Sequence, residues 1–253
     1  MVRPRTYKTR GVVLKQTPLG EADRILTIYT PDLGKLRAVA RGVRRTTSRL
    51  GGHLEPLSHA SISLSRGRSL DAISEAETIR SFRAVREDLQ RLSEGVYLAE
   101  LTDSFSAEQQ PGLEVYYLLL DALGSLDGSD GARQTVRHFE VQILSRSGFG
   151  PELHQCVECR TTLEPGDYFH SSAKGGVLCD SCKALSEDAL LPLSLNANKV
   201  LRFLATASVD RAAALQVPPG VAAEADRLIR SYIRYVLERE LKSVEFMDLV
   251  KRR

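Results

Sequence analysis

The 253-residue sequence contains no apolar run approaching the ~18 residues of a membrane span. Its opening, MVRPRTYKTR, is charged and has no apolar core, so no secretory signal peptide is expected and a cytoplasmic protein is predicted. The glycine patterns that cradle nucleotide phosphates, G-x-x-x-x-G-K-[ST] and G-x-G-x-x-G, are missing, as is the G-x-S-x-G nucleophile turn. Acid pairs such as Glu21 with Asp23 occur, but no second cluster completes a catalytic metal site. These absences argue against an enzyme. Aromatic residues are also scarce: between residues 1 and 80 there are only Tyr7 and Tyr29. From Lys35 to Gly52 there is no carboxylate at all.

What fills that acid-free stretch, KLRAVARGVRRTTSRLGG, is cationic: Lys35, Arg37, Arg41, Arg44, Arg45 and Arg49. Its first half alternates, with Lys35, Arg37, Val39 and Arg41 on one face of a strand and Leu36, Ala38 and Ala40 on the other. Its second half, Gly42 to Gly52, reads as a mobile basic loop. A strand bearing cations on one face and running into a cationic loop suits a polyanion. A solvated sheet edge would need one or two lysines, not a run of arginines. Lys15 and Arg24 are plausible neighbours. The charge asymmetry agrees: residues 1–80 carry 15 Lys and Arg against 7 Asp and Glu, a balance of +8, and the remainder 20 against 25, a balance of −5.

Tyr7 to Glu77 reads as β, with Gly11–Leu14, Arg24–Thr30, Lys35–Arg41, Ala60–Ser65 and Leu70–Glu77 separated by turn residues. Five short strands with one long loop fit a small closed barrel, either an OB-fold or an SH3-like barrel. After Arg80 the period becomes helical, with stripes through Val96–Phe105, Leu113–Leu123, Val136–Leu144 and Val221–Leu237, the last preceded by Pro218 and Pro219. The expected architecture is α+β and multidomain: a five-stranded barrel over 1–80, a helical domain over 81–152 and 186–253, and a cysteine module inserted at 153–185.

That module holds all four cysteines, as Cys156-Val157-Glu158-Cys159 and Cys179-Asp180-Ser181-Cys182. Two C-x-x-C knuckles at this separation are a strong zinc-ribbon pattern, and four thiolates leave no open position for water, which predicts a structural zinc ion. Tyr168–His170 and Lys174–Val177 read as a hairpin joining the knuckles. His154 and His170 are nearby rival ligands. A thiol oxidoreductase is the alternative for a C-x-x-C, but no thioredoxin-like βαβ unit surrounds either pair.

The segments GVVLKQTPLGEADRILTIYTPDLGKLRAVARGVRR, SRLGGHLEPL, SFRAVREDLQRLSEGVYLAELTD, HFEVQILSRSGFGPELHQCVEC and YFHSSAKGGVLCDSC resemble, in order, the bacterial RecO family of recombination mediators. The resemblance implies an N-terminal OB-fold, a helical body and a zinc module. It further implies binding of single- and double-stranded DNA, annealing of complementary strands, and cooperation with RecR in loading RecA onto DNA coated by single-strand-binding protein, at a cytoplasmic, nucleoid-associated location. DNA contacts would then fall on Lys15, Arg24, Lys35, Arg37, Arg41, Arg44, Arg45 and Arg49. With so few aromatics for stacking, the grip would be mainly on phosphates and weakly sequence-dependent, and a general RNA-binding zinc protein is the other reading. The acidic, phenylalanine-ended tail of single-strand-binding protein would need an apolar slot rimmed by cations. Two helical patches offer both: Leu89 and Leu92 beside Arg86 and Arg91, and Ile229 and Ile233 beside Arg230 and Arg234.

Overall fold

The alternating text of the first 80 residues folds as five strands, β1 (Thr6–Leu19), β2 (Asp23–Thr30), β3 (Gly34–Ala40), β4 (His59–Ser65) and β5 (Asp71–Arg80). The computed structural model describes residues 5–128 and 132–251. The strands close into a barrel in the order β1-β2-β3-β5-β4. All pairings are antiparallel except β3 with β5, which is parallel and short, limited to Ala38 opposite Asp71 and Val39 opposite Ala72. This is the OB-fold of the two barrels that the periodicity left open. Val13, Leu26, Ile28, Leu36, Ala38, Ile62, Leu64 and Ile73 fill the barrel, as inward positions of alternating strands must. A register shift between Val13 and Lys15 allows Val12, Val13 and Leu14 all to be buried.

The chain forms two compact units, Met1–Gly128 with Glu245–Arg253, and Ser129–Val244. The first unit thus joins to the barrel the helices α1 (Arg83–Glu87), α2 (Leu89–Phe105) and α3 (Leu113–Asp127). The phenol of Tyr116 lies 2.7 Å from His59 Nε2, and Tyr29 donates to the Gly112 carbonyl at 3.3 Å. Gly34 turns β2 into β3 with φ +63°, and a Cβ there would lie 1.8 Å from the Gln110 carbonyl oxygen. Gly34→Ala should therefore lower the melting temperature of this unit markedly, since both the backbone sign and the space demand glycine.

The second unit contains α4 (Ala132–Arg146), β6 (Tyr168–Ser171), β7 (Gly176–Leu178), α5 (Asp180–Lys183), β8 (Leu190–Leu193), α6 (Leu195–Thr206), α7 (Val209–Ala213) and α8 (Pro219–Leu237). A last helix, α9 (Lys242–Lys251), spans the unit boundary. The α4 stripe Val136, Phe139, Ile143 and Leu144 is buried as its spacing predicts, but so is every side chain from Gln134 to Leu144. The polar members are matched internally. Gln142 donates to the Leu204 and Ala205 carbonyls at 3.0 and 2.8 Å, and Arg137 pairs with Glu140 and, at 2.8 Å, with Asp226. Helix α8 opens on Pro219 at its first position and ends where Glu238 takes a left-handed φ of 52°.

Candidate nucleic-acid interface and metal centre

Strand pairing sets the outward face of β1, β2 and β3. Lys15 lies opposite Thr27, and Thr27 opposite Arg37; one step along, Thr17, Ile25 and Val39 form the next row. Two cations therefore lie one row from a half-buried aliphatic pair, Ile25 and Val39, and the end of β3 and the loop after it add the exposed Arg41, Arg44, Arg45 and Arg49. Lys15, Arg37, Arg41, Arg44, Arg45 and Arg49 form no ion pair among the described residues, so their charge is available to a ligand. Strands 2 and 3 and the loops between strands are the general oligonucleotide face of OB-folds.

The loop is wound into turns. Arg45 N donates to Gly42 O at 3.0 Å, Ser48 N to Arg45 O at 2.9 Å, and Arg44 N to Ala22 O at 3.0 Å. Gly42 N reaches Asp23 Oδ1 at 2.7 Å, and Val43 is buried in the barrel core. These contacts anchor the backbone at the start of the loop, while its arginine side chains stay exposed.

Two of the cations suggested by sequence do not join this set. Lys35 Nζ lies 2.9 Å from Asp103 Oδ1 and donates to the Asp103 carbonyl at 2.6 Å, leaving its side chain only 14% exposed. It occupies the outward parity of β3 as predicted, but α2 covers that end of the strand and takes up its charge. Arg24 is half-buried and donates to Gln16, which in turn donates to the Leu54 carbonyl. Lys35→Met should lower stability by about 1–3 kcal/mol by leaving Asp103 unpaired. It should leave the salt dependence of DNA binding unchanged; chemical denaturation and a salt titration check the two halves of this expectation. Conversely, the β4–β5 turn contributes Arg66 and Arg68, both exposed, which the sequence marks only as hairpin punctuation. Their signal was the Arg66-Gly67-Arg68 turn itself, carrying two cations in a two-strand connection where OB-folds hold ligands.

In the second unit the four cysteine sulfurs all lie within 4.8 Å of one another, and the cysteines form no disulfide. The first knuckle turns through Arg160, whose φ is +61°, with Cys156 N donating to Thr161 O and Arg160 N to Cys156 O, both at 2.9 Å. The second is set by α5, which Cys179 caps; Lys183 N donates to Cys179 O at 2.8 Å. Strands β6 and β7 form the predicted hairpin, and β8, not foreseen, pairs with the other edge of β6. Glycine at 176 lets the knuckles meet: a Cβ there would stand 2.5 Å from Val157 Cγ1 and 2.6 Å from Glu152 O. Hydrogen bonding with Thr161 lowers the Cys159 thiol to about 6, whereas burial and the neighbouring thiols push Cys182 up to about 12. Thiols this close cannot all ionise side by side unless a cation balances them, and four thiolates match the donor set and tetrahedral preference of zinc. The residues present fit a metal ion.

Neither rival histidine belongs to the group. His154 is exposed, and His170 is buried edge-on against Tyr232, ring centres 5.3 Å apart, with neither ring nitrogen bonded to a protein partner among the described residues. Burial lowers the His170 pKa to about 4. The fold therefore holds it neutral, and its contribution is present above the free value near 6.5 and lost as the pH falls towards 4. Up to about 3 kcal/mol should disappear across that window. His170→Phe should remove this part of the acid sensitivity. The difference between the two proteins is the readout, because metal loss in acid is common to both.

The two apolar patches separate cleanly. Ile229 and Ile233 are buried in the second unit, Arg230 pairs with Asp226 at 3.3 Å and Arg234 with Glu240 at 3.1 Å, so this stripe is core and not a slot. Leu89 is 47% exposed, with Leu92 and Arg86 half-buried beside it, while Arg91 donates to the Leu126 and Gly128 carbonyls at 3.3 and 2.6 Å.

Comparison with known proteins agrees with this geometry. Residues 2–82 match the family model "Recombination protein O N terminal" and residues 86–245 "Recombination protein O C terminal". A protein named DNA repair protein RecO from Dehalococcoides mccartyi is 36% identical over 251 residues, covering 99% of this chain and 98% of its own. Proteins of the same name from Symbiobacterium thermophilum and Roseiflexus are 37% identical over 248 residues (97% of this chain, 98% of its own) and 35% over 250 (99% and 88%). An OB barrel, a helical body and a clustered cysteine module, together with matches along nearly the whole length, place this chain in the RecO family of DNA repair proteins.

Proposed function

We propose that this protein acts in DNA repair and recombination as a non-enzymatic mediator that binds single- and double-stranded DNA and anneals complementary strands. The observation that carries the reading is the set of exposed cations Lys15, Arg37, Arg41, Arg44, Arg45 and Arg49 on β1, β3 and the loop after β3, which form no ion pair among the described residues. Neutralising phosphates on such a face releases counterions and lets two strands lie close without mutual repulsion. Tyr29 is buried and Tyr7 is engaged with Asp71 and Arg66, so base stacking on aromatics adds little and both DNA forms are held through phosphates. The family resemblance supplies the partners: RecR, RecA and the acidic tail of single-strand-binding protein. For that tail the Leu89–Leu92–Arg86 patch is the remaining candidate, the second patch being core. The four cysteines would hold a structural zinc ion.

The test is annealing of complementary oligonucleotides coated with single-strand-binding protein, with no nucleotide added. Annealing faster than the spontaneous rate is expected. No acceleration, or equal acceleration on matched RNA with no DNA preference, would favour the general RNA-binding alternative. Turnover of a dithiol substrate by the metal-loaded protein would favour a thiol enzyme.

A further inference from the structure

Strands β4 and β5, with the first half of β1, form the wall of the barrel that lies across from β2 and β3 in the strand order. Pairing sets level rows on its outward face. Lys8 lies opposite Ser63, and Ser63 opposite Glu75; Arg10 lies opposite Ser61, and Ser61 opposite Glu77. The face therefore carries a column of cations on β1, a column of small hydroxyls on β4 and a column of carboxylates on β5. All four charged residues are exposed. The outer columns stand two strand spacings apart, about 10 Å, so the charges of one row do not meet within the chain. None of the four joins an ion pair among the described residues.

One end of the face adds an apolar group at each edge. Tyr117 lies beyond the cation column, its phenol accepting from Arg10 at 3.3 Å, and Ile79 follows Glu77 on the carboxylate column. They are 45% and 53% exposed. Such a pattern is complementary to itself. A twofold axis along β4 exchanges the outer columns and keeps each row level. Lys8 then meets the partner's Glu75, Arg10 the partner's Glu77 and Tyr117 the partner's Ile79, each contact occurring twice. An axis across the strands would instead set cation on cation. The serines between the columns are short enough to let two sheets approach. A polyanion would be repelled by Glu75 and Glu77, and a partner of one charge sign would meet a column of its own sign.

We propose that this β1-β4-β5 face pairs two copies of the chain. Exposed ion pairs contribute little each, so the dimer is weak, dissociating on the order of 100 µM at low salt and more readily as salt screens the charges. Strand β3 and the loop after it belong to the other side of the barrel, so pairing leaves their cations uncovered. The pairing does not depend on the DNA-binding reading.

Sedimentation of the full chain over a concentration series tests the pairing. Dimer should accumulate above about 0.1 mM at low salt and disperse at high salt. Arg10→Glu alone, or Glu77→Arg alone, sets like charges together at both copies of one contact and should weaken dimerisation about tenfold or more. Mixed in equal amounts, the two variants should associate one to one, because the reversed position of each then faces an opposite charge on the other. A folding defect in either variant could not be rescued by mixing. A chain that stays monomeric up to about 1 mM at low salt would overturn the pairing and leave the face to a different protein of matching pattern. Dimers that tolerate both single reversals would overturn it too, by placing the contact elsewhere, as would a mixture no more associated than its components.

Discussion

Cys179→Ser, or exhaustive chelation of the unaltered protein, is expected to release one equivalent of zinc and unfold the region from Glu152 to about Leu193. Three features make the effect large. The strands there are short, four, three and four residues in β6, β7 and β8, and α5 has four. Most of the first knuckle is exposed, with only Leu163 and Cys156 buried between His154 and Glu164. And the binding free energy of a structural zinc, on the order of 10–16 kcal/mol in small peptides, is there folding free energy. Hydrogen exchange should show protection lost first in this segment, and metal analysis should show one zinc per chain before and none after. The barrel has its own core and no cysteine, so DNA affinity should persist. A segment that stays protected after complete metal removal would mean that the sheet β7-β6-β8 suffices without the ion.

The second large effect is on DNA affinity. If four to six phosphates are contacted, the slope of log affinity against log salt on single strands should be about −3 to −4. Arg44→Ala with Arg45→Ala removes two exposed cations that form no ion pair among the described residues. It should reduce the magnitude of the slope by about 1.4 units and weaken binding on the order of tenfold or more at low salt, for every sequence alike. The fold should be unaffected, because both side chains are solvent-exposed and only their backbones hold the loop. An unchanged slope would move the interface off this face. The contrast with Lys35→Met is informative, since that cation lies on the same strand but is bound to Asp103.

The residues of these two candidate sites stood out in the sequence for physical reasons that can be named. Alternation with period two tells which side chains of a strand share a face, so the outward row of β3 follows from the order Lys35-Leu36-Arg37-Ala38-Val39 alone. Thiolate chemistry leaves few choices for two C-x-x-C pairs, so the metal group needed only to be brought together. The OB topology needed strand order as well: the single parallel pairing of β3 with β5 distinguishes it, and that is a contact 33 residues apart in sequence, between Ala38 and Asp71.

What the sequence by itself determined was therefore local and chemical: five strands, several helical stripes, a cationic run without acids, and four thiols. What only the tertiary structure decided was which of those groups remain free. Lys35 and Arg37 have the same parity and charge, yet Asp103 arrives from α2, 68 residues along the chain, to neutralise one and leave the other. Ile229 and Leu89 both sit beside arginines, yet one is wholly buried and the other 47% exposed. Helix α4 is polar in composition but buried along Gln134–Leu144, because other elements bring carbonyls and a carboxylate to its polar side chains. Periodicity records how a side chain points relative to its own backbone; whether a partner covers it depends on elements distant in sequence, and no local pattern encodes that.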